Sequence, residues 1–425
     1  MRFLGTLVLG AAALVAAAAL PAPARAAGAS YTVVRETAKT SDGVTLAIRR
    51  LAEPGAVPVL LVHGLGSNGE EWDLPGKSFA RDLAGAGYDV WIANCRRTGK
   101  APYRSGGAAG YTFDDLACRD LPALVDAVLR ATGERPFLVG HSMGGMMIEA
   151  WLQGCDLEPA LVRKDLAFSL ARGVRVVDVT ALRVAGSAGR AAARAASIRG
   201  AVAIASPPAF DWPENQATVL DFWRHDYWNY NILLRDLSWS PGAIAAAYAF
   251  PEVPAGALVD FLERDLLSLP YVGAAARPYL EAVEAQVGTS FLSAEVAYGP
   301  NLDAQDVADG LRLAIDDTSN GVFRQLMDGI RTRSLREAAV LDPLRAPYVY
   351  ADHHDRISAP FLYVTGSYDK LCNEETAYAR GFRKIGSADK TYLGPLPFGH
   401  VDLVIGRDAP AAVWAPVERW LAARK

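Results

Sequence analysis

Pro136-Phe137-Leu138-Val139-Gly140-His141-Ser142-Met143-Gly144-Gly145 decides the fold. Pro136 to Val139 is a short apolar run that reads as a buried strand, and the residues from Met143 onward read as a helix. Between them, Gly140-His141-Ser142-Met143-Gly144 fits G-x-S-x-G, in which flanking glycines let a strand turn abruptly into a helix. That geometry matters because a serine hydroxyl attacks well only when exposed on a sharp turn, beside a base, with donors ready for the oxyanion. A merely structural glycine-rich turn is the competing reading, and the strand-turn-helix context favours a nucleophile.

Working outward, Tyr31 to Glu36 and Val44 to Leu51 read as two strands joined by the turn residues Ser41-Asp42-Gly43. Val57 to Val62 and Tyr88 to Ala93 are nearly continuous apolar runs, the pattern of strands buried on both faces of a parallel sheet. Helical stretches follow at Lys77 to Ala84 and Asp114 to Ala131. Ala201 to Ala205, Phe361 to Thr365 and Lys390 to Leu393 read as further strands, with helices over Glu374 to Lys384 and Pro410 to Ala423. Alternating strand and helix predicts an α/β fold with a mostly parallel central sheet flanked by helices. Two interruptions stand out: an Ala- and Arg-rich stretch at about 158–199, and a long helix-like segment at 207–356 that reads as an inserted helical cap. The core is therefore expected in two parts, 27–206 and 357–425.

At 425 residues the chain exceeds the usual domain of about 100–200 residues, as a large insertion requires. The net charge of −4 is small and the basic residues are dispersed among acids, so nucleic acid is not an expected partner. At the N-terminus, Arg2, an apolar run from Phe3 to Leu20 and the small residues Ala24-Arg25-Ala26 form a signal-peptide pattern over 1–26. Cleavage is expected near Ala26-Ala27, giving a secreted or periplasmic protein; an uncleaved anchor is the competing reading. Cys95, Cys118, Cys155 and Cys372 leave disulfides and buried free thiols equally open, and they lack zinc-site spacing. No metal or organic cofactor is expected.

In the fold that carries G-x-S-x-G at a strand-helix turn, the α/β-hydrolase fold, the acid and then the histidine follow the serine in the chain. The sequence has 6 histidines. His63 and His141 sit in the glycine motifs, and His225, His353 and His354 lie in the expected cap. That leaves His400, in Phe398-Gly399-His400-Val401-Asp402, as the base. Asp369, directly after a buried strand, is the expected acid; Asp355 and Asp402 are the competitors, Asp402 reading better as a helix-start cap. His63-Gly64-Leu65-Gly66 follows the strand whose loop supplies one oxyanion donor, so the Leu65 and Met143 N–H groups are the expected pair. His63 itself reads as a structural hydrogen-bonding residue. The cap opens on Phe210, Trp212, Phe222, Trp223, Tyr227, Trp228, Tyr230 and Trp239. Of these, Trp212, Phe222, Trp223 and Trp228 are candidates to line an apolar pocket, against a plain helical core.

His63-Gly64-Leu65, Asp89-Val90-Trp91-Ile92-Ala93-Asn94-Cys95-Arg96, Asp120-Leu121-Pro122-Ala123 and His400-Val401-Asp402 together resemble the acid-lipase branch of the α/β-hydrolase superfamily, which includes gastric and lysosomal lipases. The chain departs from it with Arg97 where the branch has Gly and Met143 where it has Gln. The resemblance implies a serine hydrolase that cleaves small-molecule or lipid-like carboxylic esters through an acyl-enzyme on Ser142, with transient contact to a membrane or lipid surface. Amide, thioester or polyester cleavage on the same triad is the alternative within the fold. A non-catalytic secreted binding protein is the alternative outside it.

Overall fold

The computed structural model describes residues 31–169, 173–210, 252–253, 297–338, 345–369, 371–372 and 374–425. The expected signal peptide and the pocket candidates Trp212, Phe222, Trp223 and Trp228 lie outside these residues.

The predicted alternation folds into an eight-stranded sheet ordered β1-β2-β4-β3-β5-β8-β11-β12. Its strands are β1 (Thr32–Lys39), β2 (Thr45–Ala52), β3 (Val57–Val62), β4 (Tyr88–Ala93), β5 (Phe137–His141), β8 (Gly200–Ile204), β11 (Phe361–Gly366) and β12 (Lys390–Leu396). β1 and β2 form the expected antiparallel hairpin, and β2 joins β4 antiparallel. From β4 through β12 the neighbours run parallel.

A parallel sheet must be covered on both faces, and side chains of a strand alternate between them. β3 shows this directly. Leu60 and Val62 enter one core with Trp91 and Leu138, while Val59 and Leu61 enter the other with Val90 and Phe137. The first core is closed by α2 (Leu121–Thr132) and α3 (Met143–Leu152), the second by α1 (Phe79–Gly85) and α7 (Ala415–Ala422). Each fully buried Leu, Val or Phe contributes roughly 1.5–3 kcal/mol relative to exposure. The runs that seemed uninterrupted in sequence are therefore two interleaved apolar faces.

The Ala- and Arg-rich stretch is a finding the sequence reading did not reach. It is a long antiparallel hairpin of β6 (Cys155–Ser169) and β7 (Gly173–Gly186), followed by α4 (Ala188–Ala196). Its base is fixed to the cap side by the buried Arg183, whose guanidinium donates to Glu337 at 3.0 and 2.6 Å. The expected helix over Glu374 to Lys384 is likewise broken, into a turn of α-helix, a π-helical turn and a 3₁₀ turn.

Between β8 and β11 come helical insertions: α5 (Ala304–Asp309), α6 (Asn320–Thr332) and a two-residue ladder of β9 (Glu252–Val253) with β10 (Thr318–Ser319). They rest on the loops at the C-terminal ends of the central strands. Asp316 N–H donates to the Gly66 carbonyl at 2.9 Å, and the Asp316 carboxylate accepts from Gly99 N–H at 2.6 Å and Asn68 Nδ2 at 3.2 Å. Arg97, held at φ 68°, adds an ion pair to Glu252. Such a left-handed residue costs on the order of 1 kcal/mol, which the charged contact to the insertion offsets.

Cys95, Cys118, Cys155 and Cys372 are free and buried. Among the described residues, no helix is long and apolar enough to cross a membrane.

Candidate active site

β5 ends where the sequence placed the turn, and the glycines there are fixed by backbone proximity. A Cβ on Gly144 would lie 2.7 Å from the His63 carbonyl oxygen and 2.8 Å from the Val62 carbonyl carbon. One on Gly140 would lie 2.5 Å from the Gly144 carbonyl carbon. With both neighbours bare, the chain turns at Ser142, which takes φ 51° and ψ −119° at the start of α3. Gly144→Ala should therefore lower folding stability by roughly 2–3 kcal/mol, read as a drop in Tm, because no rotamer can relieve a clash with backbone. An unchanged Tm would mean the turn is looser than drawn.

The sequence-predicted base and acid converge on this serine. His400 Nε2 lies 2.8 Å from Ser142 Oγ, and His400 Nδ1 lies 3.1 and 3.0 Å from the two Asp369 carboxylate oxygens. Asp369 follows β11, and its Oδ1 also accepts the Leu371 and Cys372 N–H groups at 2.8 Å each. A carboxylate accepts only, so Nδ1 carries the proton and Nε2 is left to accept from the serine hydroxyl. This is a Ser-His-Asp triad, with His400 and Asp369 both buried.

Asp402 does not cap a helix start with its side chain. Its carboxylate accepts Gly399 N–H at 3.0 Å, Tyr298 N–H at 3.0 Å and Asn301 Nδ2 at 3.1 Å. It thus ties the base loop to the 297–301 segment, and burial pushes its carboxyl above the usual range. Of the cap histidines, His354 is buried against Glu149 at 3.0 Å, away from the triad. His225 lies outside the described residues.

His63 holds the loop after β3. Its Nδ1 donates to the Gly64 carbonyl at 2.8 Å, while Nε2 accepts Cys95 N–H at 3.2 Å. In a planar trans peptide the N–H points opposite the C=O, so the Leu65 N–H is turned away from His63. Leu65 and Met143 both border the cavity over the serine, and neither N–H has an acceptor among the described residues.

That cavity holds about 320 Å³. Its floor is Ser142, His400, Glu71 and His141; its walls include Leu302, Val307, Leu311, Ile315, Val404 and Ile405. Phe210, the first residue of the aromatic run, lines it as well. The described wall is thus mainly aliphatic rather than aromatic.

The motifs Arg96 and Asp120 serve the scaffold. Asp120 accepts both the Arg96 backbone N–H and its Nε at 2.8 Å, and burial, opposed by the Arg96 charge, pushes its carboxyl up to about 6.

Residues 57–164, from β3 into β6, match a family model described as alpha/beta hydrolase fold. The chain is 34% identical over 135 residues to "Triacylglycerol lipase 1" of Arabidopsis thaliana, covering 28% of this chain and 34% of that protein. It is 37% identical over 122 residues to human "Gastric triacylglycerol lipase", covering 25% of this chain and 31% of that one. The matched stretch spans about a third of each curated relative. A solved structure of Paleococcus ferrophilus monoacylglycerol lipase is similar over 89% of this chain and 99% of its own, with a TM-score of 0.46 and 16% identity. The chain adopts an α/β-hydrolase fold, part of it resembles members of the esterase and lipase families, and its sheet presents a Ser-His-Asp triad to an apolar cavity.

Proposed function

We propose that the protein hydrolyses carboxylic esters with an apolar acyl group. The observation that carries this reading is the 2.8 Å Ser142 Oγ to His400 Nε2 hydrogen bond at the floor of an aliphatic cavity. Ser142 Oγ attacks the ester carbonyl as its proton passes to Nε2, and Asp369 stabilises the imidazolium that forms. The oxyanion is received by the Leu65 and Met143 N–H groups. Collapse expels the alcohol with the proton from Nε2 and leaves an acyl-Ser142. Water, deprotonated by His400, then releases the acid and restores the serine.

The finer assignment to the acid-lipase branch rests on the motifs shared with it and on partial likeness to gastric-type lipases. With it go contact to lipid surfaces, export after removal of 1–26, and a cap spanning 207–356 between core parts 27–206 and 357–425.

A panel of p-nitrophenyl esters from acetyl to palmitoyl, run beside an amide, a thioester and a polyester film, tests the reading. Preference for esters with an aliphatic chain supports it; turnover confined to amides, or binding of lipid without turnover of any activated ester, overturns it. The wall also makes a prediction. Gly310 borders the cavity, and a Cβ there would sit 3.6 Å from Ile405 Cδ1, an ordinary contact. Gly310→Leu should fill this corner and lower kcat/KM for the longest accepted acyl chain on the order of tenfold, while sparing acetyl esters. Equal loss on short and long chains would place the acyl group elsewhere.

A further inference from the structure

Below the triad lies a buried pair of ionisable groups that the reaction as written does not use. Glu71, on the turn after β3, accepts Ser67 Oγ–H at 2.7 Å and Gly64 N–H at 3.2 Å. Its Oε2 lies 3.5 Å from Nδ1 of His141, the residue immediately before the nucleophile. The other ring nitrogen of His141 donates to the His400 backbone carbonyl at 3.3 Å. At 3.5 Å the Glu71–His141 contact is a charge pairing rather than a well-formed hydrogen bond. Both side chains are buried and both border the cavity.

These contacts join three chain segments that are remote in sequence: the donor loop at Gly64 to Ser67, the nucleophile turn at His141, and the base loop at His400. We propose that Glu71 and His141 are a positioning pair that holds the oxyanion-donor loop, Ser142 and His400 in register, and that this rests on the serine-hydrolase reading above. The reason is geometric. Gly64 N–H belongs to the peptide just before the one that carries the Leu65 N–H, so anchoring it on Glu71 limits how the Leu65 donor can turn. A shift of even 1 Å in a preorganised donor is costly, since such donors act by being fixed before charge develops.

Burial pulls the His141 pKa down, the Glu71 carboxylate, the His400 carbonyl and Asp369 together push it up, and the net shift is upward. Among the described residues, the groups that face the pair include the His400 ring at 5.0 Å between centroids, Asp369 behind it, the buried Cys95 thiol near Glu71, and the Trp72 ring edge-on at 6.5 Å from His141.

The test uses the full chain, a p-nitrophenyl ester and four variants. Glu71→Gln and His141→Gln should each lower kcat about tenfold with KM within about twofold, and the double variant should lose no more than either single, as expected of a coupled pair. Glu71→Ala, which also frees the Gly64 N–H, should lose on the order of a hundredfold. A merely structural role would lower Tm and leave the kcat of the folded protein near wild type, whereas a positioning role lowers kcat at unchanged KM in protein that is fully folded. Single variants that keep kcat within about twofold, or losses that multiply in the double variant, overturn the proposal. Should Glu71→Gln not fold, Glu71→Asp keeps the charge and is expected to retain more activity than Glu71→Ala; equal activity counts against the pair. Phosphonate labelling of wild-type Ser142 keeps the two questions apart: an unlabelled, inactive wild type refutes the hydrolase reading, not the positioning role.

Discussion

Ser142→Ala is expected to lower kcat on an activated ester by at least about four orders of magnitude, with Tm close to wild type. The size follows from what is lost. Without Oγ there is no atom for His400 to deprotonate, so both the acyl-enzyme and the split of one hard step into two vanish. Residual turnover would come from the oxyanion donors acting on bound water. Alanine changes only one atom at a turn whose shape is set by Gly140 and Gly144, so the fold should tolerate it. Kinetics on a p-nitrophenyl ester beside a thermal melt check both halves; near-wild-type activity would remove Ser142 from the chemistry.

Asp369→Asn should cost on the order of 10⁴ in kcat although it is nearly isosteric. Asp369 Oδ1 is pinned by two backbone donors, Leu371 and Cys372 N–H, at 2.8 Å each. An amide in its place would keep its oxygen there and turn its NH₂ toward His400 Nδ1, which lies 3.0 Å from the present Oδ2. That forces Nδ1 to accept and moves the ring proton to Nε2, the atom that must accept the serine proton. The loss is thus one of tautomer rather than placement. It should appear in kcat with little change in KM, and a loss smaller than about tenfold would mean another acid serves His400.

The triad was legible because each member carries a local signature. Ser142 sits between glycines at a strand end, Asp369 ends a buried strand, and His400 was the one histidine late enough in the chain. The parallel core was legible for a similar reason, since β3, β4, β5 and β8 are runs too apolar for a solvated face. What escaped is what depends on distant partners. Glu71 is one of 47 acidic residues, and nothing in its neighbours announces His141 or Gly64. The β6–β7 hairpin did leave a trace, in the β-branched alternation from Val174 to Thr180, but the surrounding Ala and Arg residues masked it. The aromatic pocket candidates Trp212, Phe222, Trp223 and Trp228 lie outside the described residues. The described part of the wall includes Val307 of α5 and, in the π-helical turn that follows it, Leu311 and Ala314, at spacings of four and three residues.

The measurement that bears most directly on the central claim is peptide mapping by mass spectrometry after treating the folded protein with a fluorophosphonate. A hydroxyl hydrogen-bonded to His400 at 2.8 Å should be phosphonylated, so a single adduct is expected on the peptide carrying Ser142, with loss of esterase activity in step with labelling. An adduct at another residue, or esterase activity that survives full labelling of Ser142, would contradict it.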